Sequence, residues 1–311
     1  MDTPAELGGF LRTRRAALRP EDVGLVSYGT RRRVPGLRRE ELAQLAGVSV
    51  AYYTRLEQGQ SAGASDGVLN AIARALRLTP DEQAHLRNLA RPARSGRPRA
   101  PRAECARPAT RQLLTAMDQV PALVLDRRFE VLAWNRLGHA LTAGHLSADA
   151  PGHPRERPNA QRMLFLDPHT RELYPRWETE ARRAVSSLRV AAGEHPDDRR
   201  LAELIGELTM KNEVFAALWS RHPVRRCSFG TKAFHHPLVG PLELDFERAR
   251  LPDSGGQALL MYSAEPGSPS EAGLRLLATG LNDAAGPGGT TGLGEPSDAP
   301  ERTSLDRLGT R

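Results

Sequence analysis

Residues 39 to 59 read Arg39-Glu40-Glu41-Leu42-Ala43-Gln44-Leu45-Ala46-Gly47-Val48-Ser49-Val50-Ala51-Tyr52-Tyr53-Thr54-Arg55-Leu56-Glu57-Gln58-Gly59, and they leave the chain little choice of local structure. Leu42, Leu45 and Ala46 recur at three-to-four spacing, the stripe by which a short helix faces a core. Gly47 follows the last turn, where glycine takes a left-handed conformation at least cost. Ser49 then offers a hydroxyl to the free amides of a second helix, in which Tyr53 and Leu56 point back at the same core. Val50, Ala51, Thr54 and Arg55, with Tyr52 beside them, remain as the outward set. Two short helices at a glycine turn predict a helix-turn-helix, whose second helix is narrow enough for the major groove of DNA. There an Arg fork pairs with guanine O6 and N7, and small apolar groups touch a thymine methyl.

Charge points the same way. From Met1 to Thr110 there are 19 Arg and no Lys against 11 acidic residues, whereas from Arg111 onward 25 basic residues meet 26 acidic ones. The basic excess therefore lies entirely on the side of the motif, an electrostatic footprint for a polyanion. Arg31, Arg32 and Arg33 fall in the long segment between the first helix and the motif and are expected to touch phosphates.

Around the motif, Leu7, Phe10, Leu11 and Leu18 predict a supporting helix from Ala5 to Leu18, and Val68, Leu69, Ile72 and Leu76 predict another from Ser65 to Leu76. Thr79-Pro80-Asp81-Glu82 is a capping box with proline at the first helical position, opening a fifth helix. Residues 1–90 are thus expected to form an all-α helix-turn-helix domain of five helices. Residues 91–110, with Pro92, Pro98, Pro101 and Pro108 among arginines, form a basic linker.

A second domain is expected over residues 111–278. Ala122-Leu123-Val124-Leu125 and Val131-Leu132-Ala133-Trp134 flank the turn Asp126-Arg127-Arg128 as a hairpin, and Asn135 ends the second strand as the cap of a helix. Helical segments follow at Ala160 to Leu166, Trp177 to Ala191, Asp197 to Leu208 and Glu213 to Trp219. Strands return at Arg225 to Phe234, Pro241 to Phe246 and Gln257 to Tyr262; the middle one alternates Leu242, Leu244 and Phe246 with Glu243 and Asp245. Two strands, a helical middle and three strands is the order of an α+β PAS-like domain with a five-stranded antiparallel sheet. Its expected inner face carries Leu123, Leu125, Leu132, Leu242, Leu244, Phe246 and Leu260 beneath the helices. Residues 279–311 are rich in Gly, Pro, Ser and Thr and are expected to be disordered.

Pro121-Ala122-Leu123-Val124-Leu125-Asp126, Leu132-Ala133-Trp134-Asn135, Phe165-Leu166-Asp167-Pro168, Leu173-Tyr174-Pro175-Arg176-Trp177, His236-Pro237-Leu238-Val239-Gly240 and Tyr262-Ser263-Ala264-Glu265-Pro266-Gly267-Ser268 resemble the ligand-binding domain of MmyB-like regulators. Val34-Pro35-Gly36-Leu37-Arg38-Arg39-Glu40-Glu41 and the Tyr-Tyr-Thr-Arg-Leu-Glu-Gln-Gly stretch resemble the DNA-binding half of the same family, a branch of the xenobiotic-response-element, Cro and repressor-type helix-turn-helix class. The resemblance covers roughly residues 5 to 278. It implies a transcription regulator whose PAS-like domain takes a small apolar, fatty-acid-like effector; it makes Arg39, opening the first motif helix, a phosphate or base contact, and it assigns Glu57 a pairing with Arg15 of the supporting helix.

Other chemistry finds little support. Cys105 and Cys227 are too few for a disulfide framework, and no run approaches a membrane helix, so a cytoplasmic, nucleoid-associated protein is expected. His235 and His236, adjacent on a strand, point to opposite faces and cannot both meet one metal. With no phosphate loop, nucleophile elbow or paired carboxylates, an enzyme is not expected, nor is a cofactor. Trp134, Phe165, Trp177, Phe215 and Trp219 are the candidate lining of an effector pocket. Double-stranded DNA is the expected partner, bound by a homodimer, since one such domain reads only a few base pairs. The competing reading places an enzyme or a protein-partner module in residues 111–278, localised to DNA by the motif.

Overall fold

The computed structural model describes residues 3–25, 36–60, 63–91 and 105–284. Arg31, Arg32 and Arg33, most of the linker and residues 285–311 lie outside the described residues. The first domain holds five helices, α1 Thr3–Ala17, α2 Arg39–Ala46, α3 Val50–Glu57, α4 Asp66–Ala75 and α5 Pro80–Ala90. The caps are those the sequence predicts: Ser49 accepts from the Tyr52 amide at 3.1 Å, and Thr79 and Glu82 close a reciprocal box at the start of α5. Gly47 ends α2 at φ +65°. Leu7, Phe10, Leu11, Leu42, Tyr53, Leu56, Leu69, Ile72 and Leu86 form the shared core. One expected core residue is displaced: Leu45 is 37% exposed and Ala43 takes its place. The buried arc of α2 runs through Leu42, Ala43 and Ala46, and Leu45 falls on the far side of Leu42 from Ala43.

In the second domain, α6 Pro108–Ala116 leads into β1 Ala122–Leu125 and β2 Val131–Trp134. Helices α7 Arg136–Ala143, α8 Ala160–Leu166, α9 Pro168–Leu173, α10 Trp177–Glu194, α11 Arg199–Lys211 and α12 Glu213–Ser220 form the middle. Strands β3 Phe229–His236, β4 Gly240–Arg250 and β5 Ala258–Ser263 complete one antiparallel sheet in the order β2-β1-β5-β4-β3, and α13 Pro269–Ala284 closes the domain. This is the expected PAS-like arrangement, with the first hairpin inserted beside the last strand. Asn135 caps α7 by accepting from the Gly138 amide at 2.7 Å, and its amide group also donates to Met117 and Val120 carbonyls.

The sheet buries one face against the helices and the other only at β1, β2 and β5, since Glu243, Asp245 and Glu247 of β4 are exposed. Leu123, Leu125, Leu244, Phe246 and Tyr262 meet Phe165, Trp177, Val185, Leu188 and Phe215 on the helical side. Leu132, expected on that side, instead joins Ala122, Val124, Leu259 and Leu114 of α6 on the other. A run of four apolar residues carries no alternation to reveal its facing, and the β1–β2 register shifts between Val124 and Leu125. A second departure is at the end of the chain: α13 continues to Ala284, so residues 279–284 of the expected disordered tail are helical.

The domains touch through α10. Val190 and Val224 belong to the core of the first domain. Gly193 lets α10 close on α5, because a Cβ there would sit 2.5 Å from the His85 ring. Arg189 of α10 is 1% exposed; it pairs with Glu6 of α1 at 2.7 Å and donates to His222 Nδ1 at 2.9 Å and to the Trp219 carbonyl. Arg14 of α1 donates to the His222 carbonyl at 2.6 Å, and the Arg226 amide to Asp81 at 2.8 Å.

Candidate DNA-reading face and effector chamber

Helix α3 is held from beneath by a cluster of charge. Glu57 is fully buried, and its carboxylate takes the Arg15 fork in two bonds, Nε to Oε2 at 2.9 Å and Nη2 to Oε1 at 3.0 Å. Arg39 adds Nε at 3.1 Å and Nη2 at 2.9 Å, both to Oε1, and Arg12 stands 3.9 Å away. Burial opposes the charge on Glu57, but the Arg15 bonds outweigh it and hold the carboxyl below the usual range. Gly8 permits this packing, since a Cβ there would meet the Glu57 carbonyl at 2.2 Å. Arg15 Nη1 also reaches the Leu37 carbonyl at 2.6 Å, which pins the chain just before α2. The pairing of Glu57 with Arg15 that the resemblance implies is therefore present.

On the opposite side of α3, Val50, Ala51 and Arg55 are exposed, and Tyr52 and Thr54 are half-buried at its edges. Arg55 stands on the outward face without competing with the Glu57 cluster. Arg39 is placed differently from the α3 set: its Nε and Nη2 are committed to Glu57, and the side chain is 41% exposed.

Between the sheet and the helices of the second domain lies a cavity of about 140 Å³, walled by Leu123, Leu125, Val131, Trp134, Leu164 and Leu260. A cavity of about this size accepts a molecule as large as benzene. Its polar spots are few. Lys232 of β3 pairs with Glu180 at 3.2 Å; burial works to discharge the ammonium, but Tyr262, Tyr174 and Glu180 facing it raise its pKa above the ordinary lysine range.

Of the five aromatic candidates only Trp134 lines this cavity. The other four form a continuous aromatic column in the core: Trp177 lies edge-on to Phe165, Phe165 edge-on to Phe215, and Phe215 stacks on Trp219 at 5.7 Å. The column ends where the Arg189 guanidinium covers the Trp219 ring at 3.8 Å.

At Phe129, Ser187, Cys227 and Arg248 the small cavity meets a larger chamber of about 610 Å³, set between α5 of the first domain and α10 and β4 of the second. Its wall carries Arg87, Arg91, Arg127, Arg226, Arg248 and Arg250 against one carboxylate, Glu194. No sequence expectation included this chamber. The signal was nevertheless present, because Arg248 and Arg250 continue the alternation of Leu242, Leu244 and Phe246 and so stand on the inward side of β4.

A helix-turn-helix domain joined to a PAS-like domain with an internal cavity defines the class of two-domain, ligand-responsive DNA-binding regulators. The comparisons narrow it: the family model for the MmyB-like transcription regulator ligand binding domain matches residues 106–277, and a helix-turn-helix domain model matches residues 6–86. The chain belongs to the MmyB-like transcription regulator family. A search of curated proteins found no match. Both matched families are regulatory, and the protein is a DNA-binding transcription regulator with a ligand-sensing domain. Among the described residues no helix is long and apolar enough to cross a membrane.

Proposed function

We propose that a small apolar effector, fatty-acid-like in character, occupies the cavity beneath the sheet and sets the affinity of α3 for its operator. The observation that carries this reading is the cavity itself, an apolar space bounded by α10, the same helix that inserts Val190 into the core of the DNA-binding domain. An occupant matters for regulation only through its different affinity for the DNA-competent and DNA-incompetent states. A shift of α10 is the shortest mechanical route between the two. Val50, Ala51, Tyr52, Thr54 and Arg55 form the reading set, and Arg39, with Arg31, Arg32 and Arg33, contacts phosphates. The protein acts in the cytoplasm as a homodimer on half-sites about 34 Å apart or at multiples of that spacing.

The test is extraction and mass spectrometry of the purified protein, followed by titration of the recovered lipid into an operator-binding assay. A lipid that shifts operator affinity supports the proposal. A lipid-free protein that medium-chain acids neither stabilise nor alter in DNA affinity would leave the second domain as a dimerisation unit. In the same assay Arg55→Ala should cost about 1 to 3 kcal/mol on the cognate site and relax preference at one base pair. Light scattering of the operator complex checks the two-to-one stoichiometry.

A further inference from the structure

Arg248 stands on the inward side of β4, opposite Leu260 of β5, and its Nε is buried. Among the described residues no hydrogen bond or ion pair reaches its guanidinium; the Phe129 ring lies 5.0 Å from Cζ, and Glu194 acts on it electrostatically against the like charges of Arg250 and Arg226. A cation held partly out of water with no direct partner is costly, and an arriving anion offsets that cost. The contrast with Lys232 two strand positions from Phe234 on the same sheet is direct, because Lys232 has Glu180.

The surroundings of Arg248 deepen the excess. Arg250 and Arg226 share Glu194, at 3.0 Å and 2.5 Å, and Arg127 is held by Asp198 at 2.8 Å. Arg87 enters from α5 and Arg91 from the residue that follows it, and neither forms an ion pair among the described residues; Arg87 donates only to Asn70 at 3.0 Å. Asp198 and Asp81, outside the wall, meet Arg127 and Arg226, so the excess over Glu194 in this half-enclosed space of about 610 Å³ rests with Arg87, Arg91, Arg248 and Arg250, a field that a neutral occupant leaves uncompensated.

We infer that the chamber between the two domains is a binding site for an anionic group, phosphate or carboxylate, gripped by Arg248 and Arg250 of the sensor sheet, by Arg87 of α5 and by Arg91 just beyond its end. Two planar forks from different domains on one anion tie the domains together, so occupancy here reports directly on their relative position. The anion reaches the site in one of two ways, as a free ion or as the head of an amphiphile whose tail passes Phe129 and Cys227 into the apolar cavity. Only the second source rests on the effector reading above.

Calorimetric titration of the full-length protein with inorganic phosphate, dodecyl phosphate and dodecanol separates these cases. Dodecyl phosphate should bind at least tenfold more tightly than dodecanol. Arg248→Met should remove that advantage while leaving dodecanol binding unchanged. Arg91→Ala, an exposed position that keeps the fold out of question, should weaken dodecyl phosphate severalfold and dodecanol not at all. Saturable binding of inorganic phosphate, lost in Arg248→Met, assigns the site to a free anion; no phosphate binding with the dodecyl phosphate advantage intact assigns it to a headgroup. If dodecanol does not bind but phosphate does, the apolar effector reading falls and the anion site stands. If phosphate does not bind, and dodecyl phosphate gains nothing over dodecanol in the wild type, the anion site is overturned.

Discussion

Glu57 in the DNA-binding domain is met by Arg15, Arg39 and Arg12, whereas Arg248 between the domains makes no ion pair among the described residues and has Glu194 only within electrostatic reach. Glu57 is fully and Arg248 partly withdrawn from water, and they differ in whether the compensation is built in. The Glu57 cluster is closed: its partners come from the same domain, two of them in forked geometry, and its task is to fix α1 and α2 against α3. The chamber at Arg248 is open, with cations from two domains and the countercharge left to something else. A rigid reading head and an adjustable joint need opposite electrostatics, and the structure supplies one of each.

Opening the closed cluster should give the largest effect. Glu57→Gln leaves Arg15 and Arg39 without their common anion and should cost about 3 to 5 kcal/mol in denaturant unfolding of the first domain. A loss under about 1 kcal/mol would mean that the arginines find water and that the cluster is not closed. Arg189→Leu attacks the joint instead, removing the pair with Glu6 and the contacts to His222 and Trp219. Glu6 keeps access to solvent, so the expected cost is smaller, about 2 kcal/mol, and calorimetry should split one transition into two as the domains uncouple.

Acid should loosen the joint before it reaches the reading head. Burial, followed by the nearby Arg189 charge, pushes His85 down to about 3 and His222 down to about 4. The folded state therefore refuses protons that the unfolded state accepts below about pH 6.5. Stability contributed by these rings is complete above that pH and is lost as pH falls toward 4 for His222 and toward 3 for His85. For His85 the slope approaches about 1.4 kcal/mol per pH unit within the window. Unfolding midpoints measured from pH 7 to 4 should fall accordingly, and His85→Leu should flatten the curve; an unchanged slope would show that the ring is not kept neutral. Glu57, lowered by its arginines, adds its own loss only below the ordinary carboxylate range.

The smallest effect sharpens the role of Arg39. Because its fork shares Glu57 with Arg15 and its side chain is partly exposed, Arg39→Ala should cost under about 1 kcal/mol in stability. It should still weaken binding to all DNA sequences alike. A loss confined to one operator base pair would move Arg39 from the phosphate set to the reading set.

The two halves of the molecule were unequally legible. The caps at Ser49 and Thr79, the turn at Gly47 and the core positions Tyr53 and Leu56 are local chemistry, fixed by spacings of three and four, and the structure repeats them. The hairpin strands Ala122–Leu125 and Val131–Trp134 were equally plain, since polar turn residues bound them. Facing was harder: Leu132 shows nothing in a uniformly apolar run, and Leu45 lies just outside a narrow arc. Helices α6, α9 and α13 went unforeseen, as did the continuation of the last one to Ala284.

What the sequence determined by itself is most of the elements, the order of those it revealed and the chemistry of α3, because caps, turns and periodicity act between residues a few positions apart. Tertiary structure alone decided which aromatics line space and which fill it: Trp134 faces the cavity while Phe165, Trp177, Phe215 and Trp219 stack into the core. It alone brought Arg87 of α5 and the following Arg91 beside Arg248 and Arg250 of β4. No local rule links those positions. Their meeting depends on α10 seating against α5 through Gly193, a close approach between surfaces far apart along the chain, and packing of that kind is settled only when both domains have folded.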